Sequence, residues 1–322
     1  MTSQTSQQLS RRQAMKSAAA IAGAAMLAES ANADEAGTKP AAKPRLCLFS
    51  KSLHNRPFTA LPAVLPDLGV DAVDLTCRPK GHLLPERIAD DLPRAHELFK
   101  AAGITIPMIT TGITDADRGH AEAIIKAAGG LGIRYAKLGY YPYGDLHKLH
   151  DTLAEVKARL RDVAAMCRQY GVRAGFHNHA GVRVGAALWD IWYLINDLPA
   201  EAIGSYFDMR HATVEGGEGG WRIGMSLLAP RIAMVAVKDF LWHEDPKRGW
   251  RARNVPLGQG MVRCEEAFRR LKQESFSGPI SLHVEHGDRG GPVASPQDKA
   301  NLAAIRTDNA YLRDLLKRVG LA

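Results

Sequence analysis

Residues 146–179 read LHKLHDTLAEVKARLRDVAAMCRQYGVRAGFHNH, and their order decides the fold. Leu146 to Tyr170 carries apolar positions at helical spacing. Gly171 follows where a helix needs a left-handed C-cap. A short apolar run starts at Val172 and is broken by His177-Asn178-His179. The same unit of helix, glycine, short strand and polar cluster recurs outward in both directions. Candidate strands begin at Arg45, Val70, Ile104, Ile133, Val172, Ile203, Ile232 and Pro279. Further helical stretches run from Pro85 to Ala102, Ala116 to Ala128, Met261 to Glu274 and Pro296 to Val319, with more cap glycines at Gly69, Gly103 and Gly132. Eight alternating units predict an α/β protein, a single-domain (β/α)8 TIM barrel over residues 45–322. A doubly wound open sheet needs a glycine-rich phosphate turn after its first strand, and Ser50-Lys51-Ser52-Leu53 is not one. Gly216-Gly217-Glu218-Gly219-Gly220 lacks the dinucleotide-binding spacing and predicts a flexible loop after the sixth strand.

The segment before the first strand reads differently. Arg11-Arg12 and Lys16 precede a mild apolar run, Ser17 to Ala28, and Ala31-Asn32-Ala33 supplies small residues for a signal peptidase. Residues 1–33 resemble a twin-arginine export signal, although Ala14 stands where a bulky apolar residue is usual. Export to the periplasm is expected, with 34–44 as a flexible leader. The whole chain has 322 residues, 46% hydrophobic and 24% charged, which excludes collagenous, disordered and disulfide-dense classes. No run of about 18 strongly apolar residues is present, so stable membrane insertion is not expected. A formal charge of +8 without basic clustering argues for solubility and against nucleic acid as partner. Cys47, Cys77, Cys167 and Cys264 form no Cys-x-x-Cys pair and predict buried, reduced thiols.

In such a barrel the active site forms where strands end. The second strand ends at Asp74, followed by Arg78 and His82; the fourth ends at Lys137. The fifth ends His177-Asn178-His179, the sixth at Asp208 with His211 behind it, the seventh at Lys238, and the eighth at His283-Val284-Glu285. Residues two apart share a face, so His177 and His179 point alike, as do His283 and Glu285. His177, Asp208 and His283 together suit a divalent metal with an open coordination position. Trp242 and Trp250, in a long loop after strand seven, either stack on a sugar face or cap the barrel.

These pieces resemble the xylose-isomerase-like barrel superfamily, the sugar isomerase/epimerase and inosose-dehydratase group. The resemblance runs over nearly the whole barrel. It rests on Asp71-Ala72-Val73-Asp74-Leu75, Gly175-Phe176-His177-Asn178-His179, Asp208-x-x-His211, Val237-Lys238-Asp239, Pro256-Leu257-Gly258-Gln259-Gly260 and Gly278 to Glu285. It implies one divalent cation (Mn, Zn, Co or Mg) and proton abstraction next to a carbonyl of a sugar or cyclic polyol. The usual ligands are Glu, Asp, His and Glu after strands five to eight. Here His177 replaces the first Glu, Ala236 the His, and His283 the last Glu; only Asp208 is retained. Metal ligands are then expected at His177, Asp208 and His283, and catalytic groups at Lys238, Glu285 and His179. Substrate contacts are expected from Asp74, Arg78, His82, Lys137 and His211. Export favours oxidised glycosides over sugar phosphates, which keeps a lyase or hydratase acting on 3-keto-glycosides as an alternative. A periplasmic carbohydrate-binding protein that has lost its ligands is another. The partner is a small carbohydrate, and a homodimer is compatible with the reading. The endonuclease branch needs about three zinc ions and more His and Glu ligands than this chain offers.

Overall fold

All eight predicted strands form, and they close on one another. The computed structural model describes residues 43–287 and 291–322, so the export signal and nearly all of the leader lie outside the described residues. The strands are β1 (Leu46–Phe49), β2 (Ala72–Cys77), β3 (Thr105–Thr111), β4 (Tyr135–Lys137), β5 (Arg173–His177), β6 (Ile203–Asp208), β7 (Ile232–Val237) and, after a hairpin, β10 (Ile280–Leu282). Each pairs in parallel with its neighbours in chain order, and β1 meets β10 with Leu46 opposite Ile280. The fold is a closed eight-stranded TIM barrel. Both faces of each strand are covered, which is why the strands read as apolar runs rather than alternating ones.

Between the strands lie α1 (Leu61–Val64), α2 (Ile88–Ala101), α3 (Ala121–Gly130), α4 (Leu149–Gln169), α5 (Leu188–Ile195), α6 (Met209–Leu228), α7 (Cys264–Gln273) and α8 (Pro296–Val319). The four cap glycines all take positive φ, between 64° at Gly171 and 77° at Gly132. In each case the next amide reaches back to a carbonyl five residues earlier: Val70 to Leu65, Ile104 to Phe99, Ile133 to Ala128, Val172 to Cys167. That closure turns the chain sharply from helix into strand. The four cysteines are buried and unpaired.

Two elements differ from the sequence reading. Residues 216–220 belong to α6 rather than to a loop, with a break at Gly217 (φ 58°, ψ −158°). Burial of Met209, Ala212, Trp221, Met225 and Leu228 holds that helix despite its glycines, a case of packing outweighing propensity. The segment after β7 is an antiparallel hairpin, β8 (Asp239–Asp245) and β9 (Gly249–Val255), not a loop. Trp242 and Trp250 are 43% and 64% exposed on it, so neither caps the barrel. Among the described residues no helix is long and apolar enough to cross a membrane.

Alternation along the strands divides two cores. Leu46, Leu48 and Val73 point outward to the helices, whereas Cys47, Ala72, Met108, Tyr206, Met234 and Ala236 fill the barrel. The polar groups that end the strands lie on this second, inward face, two residues further on. That is how Asp74, Lys137, His177, Asp208, Lys238 and His283 come to the barrel axis.

Candidate active site

Asp208 ties the site together. It ends β6 and is the N-cap of α6, its Oδ1 accepting the His211 backbone N–H at 2.8 Å. Asn178 fastens it from the side, donating through Nδ2 to the Asp208 carbonyl (2.9 Å) and accepting the Asp208 N–H at Oδ1 (2.7 Å). The middle residue of His177-Asn178-His179 is thus a clamp between β5 and β6, and the two histidines flank it. The free oxygen, Oδ2, takes Lys238 Nζ at 3.0 Å and His177 Nε2 at 3.2 Å. Burial works against this carboxylate, yet His211, Lys238 and His177 around it hold its pKa well below the ordinary range.

Lys238 has three partners. Besides Asp208 it reaches His211 Nε2 at 3.0 Å and Glu285 Oε2 at 3.3 Å. An ammonium has three N–H donors, and all three are used. Burial holds His211 well below its ordinary pKa, so the ring is neutral and accepts through one nitrogen only. With Nε2 accepting from Lys238, Nδ1 carries the proton, and its 3.1 Å approach to Arg210 Nη1 is a contact rather than a hydrogen bond. Burial also lowers the His177 pKa, to about 3. Its Nε2–H donates to Asp208, leaving Nδ1 to accept the Tyr140 hydroxyl at 3.0 Å. His179 is wired in the opposite sense: its Nδ1–H donates to the Ala180 carbonyl at 2.8 Å. The Nε2 lone pair stays available, and burial lowers the pKa so that the ring is neutral. His283 stacks on Phe49 with ring centroids 4.2 Å apart, and its Nε2 meets the Tyr206 hydroxyl at 3.0 Å.

These groups enclose a cavity of about 270 Å³, lined among others by His177, His179, His211, Lys238, His283 and Glu285. Arg78 joins them, its guanidinium 5.8 Å from the Phe49 ring centroid. Three predicted substrate contacts are placed elsewhere. Asp74 is fully enclosed one layer below, its oxygens accepting Thr110 Oγ1 and Ser281 Oγ at 2.8 Å each. Lys137 is 2% exposed, with Nζ 3.6 Å from the Tyr140 ring centroid and no hydrogen-bond partner among the described residues. Neither residue lines this cavity. His82 is held at both ring nitrogens, by Thr76 Oγ1 (2.9 Å) and the Leu53 carbonyl (3.3 Å), and anchors the β2 loop. Tyr140, Arg210 and Asn254 also line the cavity. Tyr140 was discoverable as the residue after a strand; Asn254 comes from β9 and had no sequence signal.

The Val237-Lys238-Asp239 and Pro256 to Gly260 motifs prove to be one structural device. Asp239 Oδ2 accepts from the Gly258 and Gly260 amides (3.1 and 2.9 Å), and Oδ1 from Phe240 and Val262 (2.9 and 3.0 Å). Asp239 is therefore saturated, and Lys238 pairs with Asp208 and Glu285 instead.

The expected cation does not fit this donor set. Among the described residues no three His, Cys, Asp or Glu side chains are gathered as ligands. Asp208 Oδ2 and His211 Nε2 lie 3.8 Å apart, and Lys238 Nζ is 3.0 Å from each. A dication bonded to both atoms at about 2.1 Å would lie within about 3 Å of the ammonium. At an effective dielectric of about 20 that repulsion is on the order of 10 kcal/mol. His283 is tied to Tyr206, its ring centroid 6.4 Å from that of His177. The fixed positive charge at the centre of this mouth belongs to the chain itself.

A closed parallel barrel with acid, imidazole and ammonium groups converging at the strand ends defines a class, the strand-end TIM-barrel proteins. Within it, residues 62–315 match the xylose isomerase-like TIM barrel family, and the chain belongs to that family. A xylose isomerase-like TIM barrel protein from Mycobacterium smegmatis, solved in complex with magnesium, superposes with a TM-score of 0.66 at 14% identity, covering 87% of this chain and 98% of that one. A D-allulose 3-epimerase from Methylomonas in complex with D-allulose gives 0.63 at 12% identity, covering 85% and 97%. An uncharacterized protein from Methanocaldococcus jannaschii is 19% identical over 146 residues, 45% of this chain, and the match spans about half of that relative's length.

Proposed function

We propose that this chain is an enzyme that moves a proton at the carbon next to a carbonyl of a sugar or cyclic polyol. The observation that carries this reading is Lys238, a buried ammonium fixed by Asp208, His211 and Glu285, facing a cavity that also holds the open Nε2 of His179. Removing a proton α to a carbonyl leaves negative charge on the carbonyl oxygen. A cation already in place stabilises that charge without reorganisation, which is where electrostatic catalysis is largest. His179 is neutral and oriented by its Nδ1–H bond, so Nε2 takes the proton. Glu285, 15% exposed on its side chain and ion-paired to Lys238, lines the same cavity as a carboxylate with no proton of its own, so the proton goes back from His179 Nε2 or from solvent. Return of that proton from His179 to the neighbouring carbon gives isomerisation; delivery of a solvent proton to the opposite face of the same carbon, with His179 releasing its own proton to solvent, gives epimerisation. With an alkoxide leaving group β to the carbonyl, the same intermediate expels an alcohol, the lyase outcome on a 3-keto-glycoside. The family includes metal-bound members such as the magnesium complex, but no step here is routed through a metal.

The test is solvent exchange. Keto-sugars and 3-keto-glycosides are incubated with the protein in D2O, and loss of the α-proton signal is followed by NMR. Exchange that disappears in His179→Asn and falls steeply in Lys238→Met supports the reading. Sugar binding without exchange on any member of the panel overturns it in favour of a carbohydrate-binding protein.

A further inference from the structure

Beside the cavity described above lies a second, larger one of about 640 Å³, and the two share Lys51 and Arg78 in their walls. The larger cavity lies between the loops that follow β1 and β2. No Asp or Glu among the described residues lines it, whereas Lys51, Arg56, Arg78 and Lys80 do. Arg56 is committed, both guanidinium nitrogens bonded to Asp298 at 2.6 Å. Lys51 leans on Glu285 at 3.9 Å. Arg78 makes no ion pair with any described residue and is held over the Phe49 ring.

The loop that presents these cations is built rigidly. The Gly81 amide donates to the Arg78 carbonyl (2.8 Å), the Arg78 amide to the Leu83 carbonyl and the Leu83 amide to the Thr76 carbonyl (3.0 Å each). His82 pins the turn from below through Thr76 and Leu53. Lys80 is left-handed at φ 59°, and a Cβ on Gly81 would sit 2.9 Å from the Arg78 carbonyl oxygen. A non-glycine residue held at positive φ costs about 1–3 kcal/mol and marks a place where the conformation itself is used. Here it turns Lys80 to the same cavity that Arg78 lines.

We infer that this second cavity is an oxyanion subsite, so the substrate is an acidic carbohydrate whose carboxylate, sulfate or phosphate ester is gripped by Arg78 and Lys80 while its carbonyl end lies at Lys238. Only the placement of the carbonyl end at Lys238 rests on the proton-transfer reading. A planar guanidinium pairs with any of these groups through two parallel N–H donors, and Lys80 adds a point charge. Binding energy gathered at this remote end positions the reacting carbon, and a neutral sugar lacks it.

The experiment is a calorimetric binding panel: D-glucuronate, D-glucose 6-sulfate, D-glucose 6-phosphate and D-glucose, against the wild-type chain and Arg78→Gln/Lys80→Gln. One charge-assisted contact corresponds to about tenfold to a hundredfold in Kd. At least one charged sugar is expected to bind tenfold or more tighter than glucose, with an advantage that shrinks at high salt. The double variant, shown to be folded by circular dichroism, is expected to lose that advantage; Lys80→Gln, outside the catalytic cavity, is expected to lose part of it and keep its glucose affinity. Lys80→Gln alone changes an exposed side chain and serves if the double variant fails to fold. The three charged probes separate the sources: carboxylate preference points to a uronate, sulfate or phosphate preference to an ester. Equal affinity for charged and neutral sugars, or a preference that survives in the variants, overturns the subsite. Because the readout is binding, charged-sugar preference without α-proton exchange would sink the reaction and leave the subsite standing, and exchange on neutral sugars without preference would do the reverse.

Discussion

Lys238 pairs with a carboxylate that is itself completely enclosed, so its removal has two consequences. Lys238→Met takes away the charge that faces the developing oxyanion, and turnover should fall by about 10²–10³-fold. It also leaves the buried Asp208 carboxylate without its cation, held only by His177 Nε2 and the His211 amide, costing about 3 kcal/mol. The two effects separate in Lys238→Met/Asp208→Asn, which is expected to regain most of the melting temperature and none of the turnover; recovery of both would make Lys238 purely structural. The wild-type ammonium already fills the space between Asp208 and His211. Dialysis against a chelator should therefore change neither melting temperature nor α-proton exchange, and loss of either on metal removal would contradict that geometry. Asp74 supplies a prediction of stability against pH. Burial raises its pKa from 3.8 to about 6, despite the Ser281 and Thr110 hydrogen bonds. The folded state then holds the proton more tightly than the unfolded one. Stability associated with Asp74 is present below pH 3.8 and is lost as pH rises through about 6. Asp74→Asn should be more stable than wild type by about 2–3 kcal/mol at pH 8 and close to neutral at pH 3.5, checked by urea denaturation at both values.

At the scale of elements, the β8–β9 hairpin carries Asn254 to the cavity and depends on the Asp239 amide cage for its anchorage. A Cβ on Gly260 would lie 2.2 Å from Asp239 Oδ1, so Gly260→Ala must push that carboxylate off its four amides. A loss of about 1–3 kcal/mol is expected in the denaturation midpoint, together with weaker substrate affinity. An unchanged midpoint would show that the cage gives way freely. The same comparison explains which elements could be read from sequence. Four strand entries were legible because a left-handed glycine and a backward amide bond are local facts. The α6 helix was not, because residues 216–220 are poor helix formers and are held only by distant burial of Trp221 and Met225. The hairpin was not, because its strands are mostly solvent-exposed and carry no apolar run.

For the whole molecule, the expectation of export rests on residues outside those described and stands as a proposal. Replacing Arg11 and Arg12 with lysine should leave the precursor in the cytoplasm, as read by fractionation. Undiminished arrival in the periplasm would reject the twin-arginine route and leave the barrel assignment untouched. What the chain determines by itself is the barrel: eight apolar runs, the caps between them and polar residues at each strand end follow from local spacing, and strand alternation alone aims those residues at one axis. Depth along that axis is a tertiary quantity. It enclosed Asp74 and Lys137, brought Glu285 to Lys238, and fastened His82 at both ring nitrogens in the wall of the larger cavity. Charge placement was decided at the same level. Whether Asp208 meets a metal or an ammonium depends on the side chains that β5, the first turn of α6 and the end of β7 deliver within 4 Å of it, and only closure of the barrel brings those elements together.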